Sequence, residues 1–248
     1  PDYVTNGTGD KGPGENNNWW DNDPDPAYLS NLKAPVQSYI RMLRISYEVI
    51  KALYPESFIC VGGLGYVSFL DAVLRNTDNP DGGKVTDEYP LKGGAWFDCI
   101  SYHIYPMYYL RKWVGRDKPN NIDGFQYTRH SDSAAKTVID RKDYIFELMA
   151  KYGYDGSTFP LKEVIVTETN IPSKQLSYYI GSPESQRNFA IKTAVLSQIS
   201  GISGIHIFGP YDNKESHEEG TVFQFCGLYK PLGDRPGGEL RLNESGMA

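Results

Sequence analysis

The chain has 248 residues, 40% hydrophobic and 23% charged, and a formal net charge of -6 at pH 7. This length can bury a sizeable core and allows one domain or two. Because no basic run is present, we expect no nucleic-acid partner, and the acidic balance argues against binding to anionic membranes. No apolar run approaches the roughly 18 residues of a membrane span.

The first half of the chain predicts one helix and two strands. Apolar residues recur at intervals of three or four from 36 to 53, which indicates a helix, and Pro35 suits its first position. The run SFICVGGLG (57–65) predicts a buried strand that ends at glycines. A second strand is predicted at WFDCISYHIYP (96–106).

The second half continues the alternation of helices and strands. A helix is predicted over 132–152, and the strand in KEVIVTETNIPS (162–173) follows it. Ser182 is the predicted N-cap of a third helix that ends near Ser200. GISGIHIFG (201–209) is the next predicted strand, and TVFQFCGLY (221–229) predicts a short hairpin or an extension of the same region.

Strands that alternate with helices indicate an α/β chain with a parallel sheet. Two architectures remain open at this point, a (β/α)8 barrel of the TIM type and a doubly wound open sheet. We find no repeat or linker, so the sequence predicts a single domain over 1–248. In both architectures ligands bind at the carboxyl ends of the strands.

Polar side chains collect at these predicted strand ends. His103 and Tyr105 close one strand and Glu168 and Asn170 close another, while Tyr211 follows the strand at 201–209. Glu168 suits a nucleophile or general base, although a surface glutamate or an ion pair is the alternative. For His103 and Tyr105 the alternative is a hydrogen-bonded pair in the core.

The segment GPGENNNWWDNDPDP (12–26) is rich in amide and indole side chains. Trp19 and Trp20 next to Asn16 are typical of a carbohydrate platform, in which a ring stacks and amides bind hydroxyls. Alternatively the two tryptophans cap the core. The aspartates at 21, 23 and 25 are similar to the start of a calcium loop, but its glycine and distant glutamate are missing, so no metal is predicted.

Other signals for cofactors or covalent chemistry are weak. Ser68 stands where a dinucleotide-binding fingerprint needs its third glycine, and no histidine pair has metal-ligand spacing. We therefore predict no cofactor. The three cysteines, Cys60, Cys99 and Cys226, are interpreted as buried thiols without a disulfide framework.

FDCISYHIYP followed by EVIVTETN resembles the sixth and seventh strands of clan A glycoside hydrolases, which are retaining (β/α)8-barrel enzymes. In that clan the sixth strand often ends in His-x-Tyr and the seventh ends in the nucleophilic glutamate, so the resemblance makes Glu168 the nucleophile. Tyr105 would hydrogen-bond it, and His103 and Asn170 would bind sugar hydroxyls. YPESFICVGGL is similar to the fifth strand, GISGIHIFGPYD to the eighth, and FQFCGLYKPLG to the segment that follows it.

The sequence departs from the clan in three places. The fourth strand of the clan usually ends in Asn-Glu, and that glutamate is the acid/base. If GENNNWW aligns with it, Glu15 is the acid/base and Gly14 replaces the asparagine. If VTNGTG aligns with it instead, the glutamate is missing. We favour Glu15, since the Asn and Trp residues after it fit a sugar-binding loop. Phe208 or Tyr211 would replace the usual tryptophan of the eighth strand. No segment resembles strands one to three.

The resemblance implies a retaining glycosidase that acts on a poly- or oligosaccharide and needs no cofactor. Because only strands four to eight are recognisable, we expect the domain to be incomplete at both ends, with a further segment or another chain supplying the rest. A catalytically inactive carbohydrate-binding barrel and a structural component of a larger assembly are the alternatives. Action on polysaccharide suggests a secreted or cell-surface protein.

Overall fold

The computed structural model describes residues 35–113, 115–117, 124–127, 131–176, 179, 181–214, 217–231 and 241–247. The chain divides into two compact units, each built from two stretches. The first unit comprises Pro1–Ser101 and Tyr144–Glu163, and the second comprises Tyr102–Asp143 and Val164–Ala248. The single domain over 1–248 stays a prediction.

The described residues form helices and strands in alternation along much of the chain. In chain order the elements are α1 (Val36–Leu53), α2 (Val67–Arg75), β1 (Cys99–Ile104), β2 (Arg111–Trp113), β3 (Phe125–Tyr127), α3 (Ser131–Lys151), β4 (Glu163–Thr169), α4 (Pro183–Ile199) and β5 (Gly204–Ile207). Short 3-10 helices occupy Gly93–Trp96, Pro106–Tyr108, Val222–Phe225 and Glu244–Met247.

The main sheet has three strands in the order β1-β4-β5. β4 pairs with β5 in parallel, with Ile165 opposite Gly204 and Val166 opposite Ile205. β2 and β3 form a separate antiparallel pair. The predicted α/β class with a parallel sheet is confirmed, and this order of strands and helices is that of part of a (β/α)8 barrel.

The helix boundaries follow local sequence signals. The Ser182 hydroxyl caps α4 by accepting a hydrogen bond from the Ser185 amide at 3.1 Å, and Pro183 occupies the first helical position. Gly201 follows α4 with a φ of 73°, a conformation that glycine adopts without steric cost. The predicted bounds of α1, α3 and α4 are therefore close to the observed ones.

Three segments differ from the sequence prediction. The predicted strand 57–65 contributes isolated bridges rather than a regular strand, and Cys60 pairs there with Cys99. The segment predicted as a hairpin forms the 3-10 helix Val222–Phe225, which a capping box at Thr221 and Gln224 stabilises. Helix α2 is not predicted because it has only nine residues, a segment too short for a helical periodicity to be distinguished from a short apolar run.

Helix α1 in the first unit has two apolar faces. Val36, Ile40 and Leu43 are buried, as expected for a core-facing stripe. On another face the side chains at positions i, i+3, i+7 and i+11 are more than half exposed; they are Met42, Ile45, Val49 and Leu53. We call these four residues the α1 apolar stripe. Exposed apolar residues in such a contiguous row are typical of a surface that binds another chain or segment.

The cysteines are free thiols in two environments. Cys99 and Cys226 are buried, as predicted, whereas Cys60 is exposed and the prediction was wrong for it. The segment around Cys60 forms isolated bridges rather than a regular strand within a sheet, so its side chains are not all covered on both faces. Among the described helices, none is both long and apolar enough to cross a membrane.

Candidate functional site

Three polar side chains of the second unit meet at the carboxyl ends of β1 and β4. The Tyr105 hydroxyl donates a hydrogen bond to Glu168 Oε2 at 2.6 Å. His103 Nδ1 lies 3.4 Å from the same carboxylate oxygen. The structure thus brings together the three residues that the sequence places at the ends of two different strands.

A β-bulge in β4 sets the direction of Glu168. Val166 is opposite Ile205 and Thr169 is opposite Ile207, so three steps along β4 match two along β5. Without the bulge, Glu168 would share the buried face of Val166, because alternate residues of a strand point the same way. The extra residue gives that buried position to Thr169 and lets the Glu168 side chain reach Tyr105.

The Glu168 side chain is partly open to solvent, and its hydrogen-bond donor Tyr105 is half-buried. The side chains of Glu168 and His103 are 35% and 31% exposed. Burial raises the pKa of Tyr105 far above its ordinary value, and the hydrogen bond to Glu168 raises it further. Tyr105 therefore remains a hydroxyl donor throughout the neutral range, and a ligand can still approach Glu168.

Aromatic rings surround the Tyr105 side chain. The ring of Tyr105 makes edge-to-face contacts with Phe208 and Phe223, with centroid distances of 5.6 and 4.8 Å. Phe208 and Phe223 also contact each other at 5.8 Å, and Tyr108 lies 6.5 Å from Phe223. Such contacts fix the orientation of Tyr105, and the exposed parts of Phe223 and Tyr108 offer apolar faces to a ligand.

Phe223 is a site residue that the sequence analysis did not identify. It lies on the 3-10 helix Val222–Phe225, where the Gln224 side chain accepts a hydrogen bond from the Thr221 amide at 2.8 Å. The Thr-x-x-Gln spacing is the sequence signal that indicates this helix start. An aromatic residue inside a capped turn is held more rigidly than one in an open loop.

Asn170 has a structural environment that differs from the prediction. Its side chain is fully buried, and its amide donates to the carbonyl of Phe208 at 3.0 Å and to the carbonyl of Cys226. Its side-chain oxygen accepts a hydrogen bond from the Ile171 amide. These contacts favour a positioning role for Asn170, which joins the end of β4 to two segments near the site, over the predicted contact with a sugar hydroxyl.

A second buried amide supports the same segments. Gln186 of α4 is fully buried and donates to the carbonyls of Ile171 and Phe225 at 2.9 and 3.4 Å. The Ser245 hydroxyl donates to the Gln186 side-chain oxygen at 2.7 Å. Since a buried amide that loses its partners is costly, these bonds restrain the backbone that carries Phe223.

The remaining predicted site residues are not part of this cluster. Tyr211 is exposed, and its ring lies 6.2 Å from that of Tyr229. The predicted acid/base Glu15 and the predicted sugar-binding residues Asn16, Trp19 and Trp20 lie outside the described residues. Within the described part of the chain, no group of three or more His, Cys, Asp and Glu side chains is arranged to hold a metal ion.

Comparison with known proteins gives matches only among solved structures. No protein-family model matches the chain, and no curated protein matches it. The chain is similar to a glycoside hydrolase family 17 β-1,3-glucanosyltransferase from Rhizomucor miehei, with 14% identity and a TM-score of 0.46 over 86% of this chain and 61% of that one. It thus spans less than two thirds of that protein.

Two further similar structures are glycosidases. One is the GH51 α-L-arabinofuranosidase from Thermotoga petrophila RKU-1, with 14% identity and a TM-score of 0.48 over 85% of this chain and 34% of that one. The other is a family 5 mannosidase from Rhizomucor miehei, with 11% identity and a TM-score of 0.38 over 86% of this chain and 45% of that one. The sequence motifs resemble the same broad group of proteins.

Proposed function

We propose that the chain belongs to a retaining glycoside hydrolase in which Glu168 is the nucleophile. The observation that carries the proposal is the 2.6 Å hydrogen bond from the Tyr105 hydroxyl to Glu168 Oε2, with His103 Nδ1 at 3.4 Å from the same oxygen. A carboxylate held from one side by a tyrosine and still open to solvent suits attack on a carbon atom. Both contacts are made to Oε2, so Oε1 is the oxygen proposed to attack.

The reaction proposed is a double displacement. Glu168 attacks the anomeric carbon, the bond from that carbon to the leaving oxygen breaks, and an acid protonates this oxygen. A water molecule, deprotonated by the same group, then attacks the anomeric carbon and releases Glu168 from the glycosyl ester. We propose Glu15 as this acid/base, since it is the glutamate next to the predicted sugar-binding segment.

The substrate proposed is a poly- or oligosaccharide. The imidazole of His103 can bind a hydroxyl of the sugar that reacts with Glu168, and the exposed faces of Phe223 and Tyr108 can stack on a ring. Trp19 and Trp20 are proposed to stack on a neighbouring ring, with Asn16 binding its hydroxyls. Tyr211 is proposed to contact a more distant sugar.

The protein that acts on the substrate is proposed to include more than this chain. The α1 apolar stripe supports a further segment or chain that packs on the first unit and completes a barrel. Because many polysaccharides lie outside cells, we also propose a secreted or cell-surface location.

The deciding experiment is covalent trapping. A panel of 2-deoxy-2-fluoro glycosides with good leaving groups forms a long-lived ester with the nucleophile of a retaining glycosidase. We expect one of them to add a single fluorosugar to the tryptic peptide Glu163–Lys174, on Glu168. The matched control is Glu163→Gln, which changes an exposed carboxylate on the same strand and should leave labelling unchanged, whereas Glu168→Gln should abolish it.

Other outcomes would favour the alternatives. If Glu168→Gln and the native protein bind glycans equally, with no trapping and no hydrolysis on a broad panel, the chain is a carbohydrate-binding barrel. If neither binds glycans and the native chain forms a stable complex with another protein, a structural role replaces the enzymatic one.

A further inference from the structure

Cys60 and Cys99 lie directly opposite each other in the first unit. The Cys99 amide donates to the carbonyl of Ile59 at 3.1 Å, and the Val61 amide donates to the carbonyl of Cys99 at 3.1 Å. This pattern makes Cys60 and Cys99 partners in a parallel bridge. Partners in a parallel bridge direct their side chains to the same face, so the two thiols are neighbours.

The separation of neighbouring strands suits a covalent link between these cysteines. Strands lie about 4.7–4.9 Å apart in a sheet. A disulfide needs Cα atoms roughly 4.4–6.8 Å apart with side chains on the same side. The spacing expected for Cys60 and Cys99 as partners in a bridge lies within this range.

The two thiols differ in their surroundings. Cys60 is exposed and can meet a small oxidant, whereas Cys99 is buried. Burial raises the pKa of the Cys99 thiol to about 12, and a hydrogen bond between the two thiols contributes to the rise. The Cys99 thiol is thus protected from direct oxidation, whereas the neighbouring Cys60 thiol is exposed to it.

We propose that Cys60 and Cys99 are a peroxide-sensitive pair that forms an intramolecular disulfide. Hydrogen peroxide transfers one oxygen to the Cys60 sulfur, which gives a sulfenic acid and one water. The Cys99 sulfur attacks the Cys60 sulfur, the S–O bond breaks, and the hydroxyl leaves as a second water with the proton of Cys99. The two sulfurs are oxidised by two electrons, and the peroxide is reduced to two waters.

The disulfide would fix the segment around Cys60 to β1. The bridge lies outside the regular strands, and backbone hydrogen bonds from the Val61 and Leu64 amides to the carbonyls of Cys99 and Ser101 already hold this segment next to β1. A covalent link across two positions 39 residues apart in sequence constrains the unfolded chain and stabilises the first unit. Since Cys60 is exposed, a small dithiol can reach the bond and reverse it.

The test is a thiol map of the whole chain before and after peroxide. Protein treated with hydrogen peroxide is unfolded in denaturant, its free thiols are alkylated with iodoacetamide, and it is then digested with trypsin. We expect the peptides 52–75 and 93–111 to be joined, with a mass about two hydrogens below their sum, and Cys226 to be alkylated. Alkylated thiols should fall from three to one, and dithiothreitol should restore all three.

Variants distinguish this pair from general oxidation. Cys60→Ser should leave Cys99 fully alkylated after peroxide, and Cys99→Ala should leave a sulfenic acid on Cys60 that dimedone traps. Cys226→Ala is the matched control and should form the disulfide as the native chain does. If Cys99→Ala does not fold, the alkylation of Cys99 in Cys60→Ser, which changes an exposed position, tests the proposal by itself. A sulfinic acid on Cys60 with Cys99 alkylated, or a link between two copies through Cys60, would overturn the proposal.

Discussion

Removing one hydroxyl group tests the role of Tyr105 most directly. Tyr105→Phe deletes the donor to Glu168 Oε2 and keeps the ring contacts with Phe208 and Phe223. Since the packing is preserved, we expect a small loss of folding stability. The effect should fall on catalysis, because Oε2 is no longer held and the attacking oxygen loses its direction.

The size of the effect follows from the hydrogen bond and its exposure. A hydrogen bond to a charged group contributes about 1.5–3 kcal/mol. The Glu168 side chain is 35% exposed, so water replaces part of the lost bond, and we use the lower half of this range, about 1.5–2 kcal/mol. With about 1.4 kcal/mol for each tenfold change in rate, kcat/KM should fall roughly 10- to 30-fold.

The assay is steady-state hydrolysis of the aryl glycoside that the trapping panel identifies. We expect kcat to carry most of the loss and KM to change little, since the bond orients a reacting atom. Tyr54→Phe, which removes an exposed hydroxyl in the first unit, is the control and should be unchanged. A Tyr105→Phe variant that is folded and retains kcat/KM within twofold of the native value would refute the reasoning.

Three further variants test the support of the site and the buried thiol. Asn170→Ala removes a fully buried amide whose two N–H groups both donate hydrogen bonds, so urea unfolding should show that the free energy of unfolding falls by about 2–4 kcal/mol. The control Asn213→Ala, at an exposed position, should change it little. A Cβ at Gly227 would lie 1.9 Å from the backbone nitrogen of Asp212, so Gly227→Ala should yield no soluble folded protein. A Cβ at Gly65 would meet no atom within 4 Å, so the control Gly65→Ala should give folded protein in the native yield. Burial raises the pKa of the Cys226 thiol from 9.0 to about 12, so the unfolded chain loses this proton first as the pH rises. Between pH 8 and 10 this group should therefore lower the free energy of unfolding by about 1.4 kcal/mol, so in parallel urea titrations the loss for Cys226→Ala should be smaller than that of the native chain by this amount.

Most of the regular elements were predictable because their signals are local. The spacing of apolar residues in α1 and the Ser182–Pro183 start of α4 depend only on nearby residues, and the observed bounds agree with them. The short apolar run around Val166 likewise predicts a strand. For such elements the sequence pattern and the tertiary packing favour the same conformation.

The segments that were not predicted depend on contacts between distant residues. Phe223 becomes a site residue because buried amides of Asn170 and Gln186 hold the backbone near its turn, and neither contact has a local sequence signal. The exposure of Cys60 also depends on which strands surround it. The meeting of Tyr105 and Glu168 was predictable, since parallel strands end at the same edge of a sheet.

The bulge in β4 makes the site depend on the number of residues as well as on their identity. Thr167 and Glu168 occupy the two positions between the paired residues Val166 and Thr169. A substitution at Thr167 leaves this count intact, whereas deletion of Thr167 would remove the extra residue of the bulge and change the position of Glu168 relative to Val166. Position 167 should therefore tolerate a change of side chain better than an insertion or a deletion.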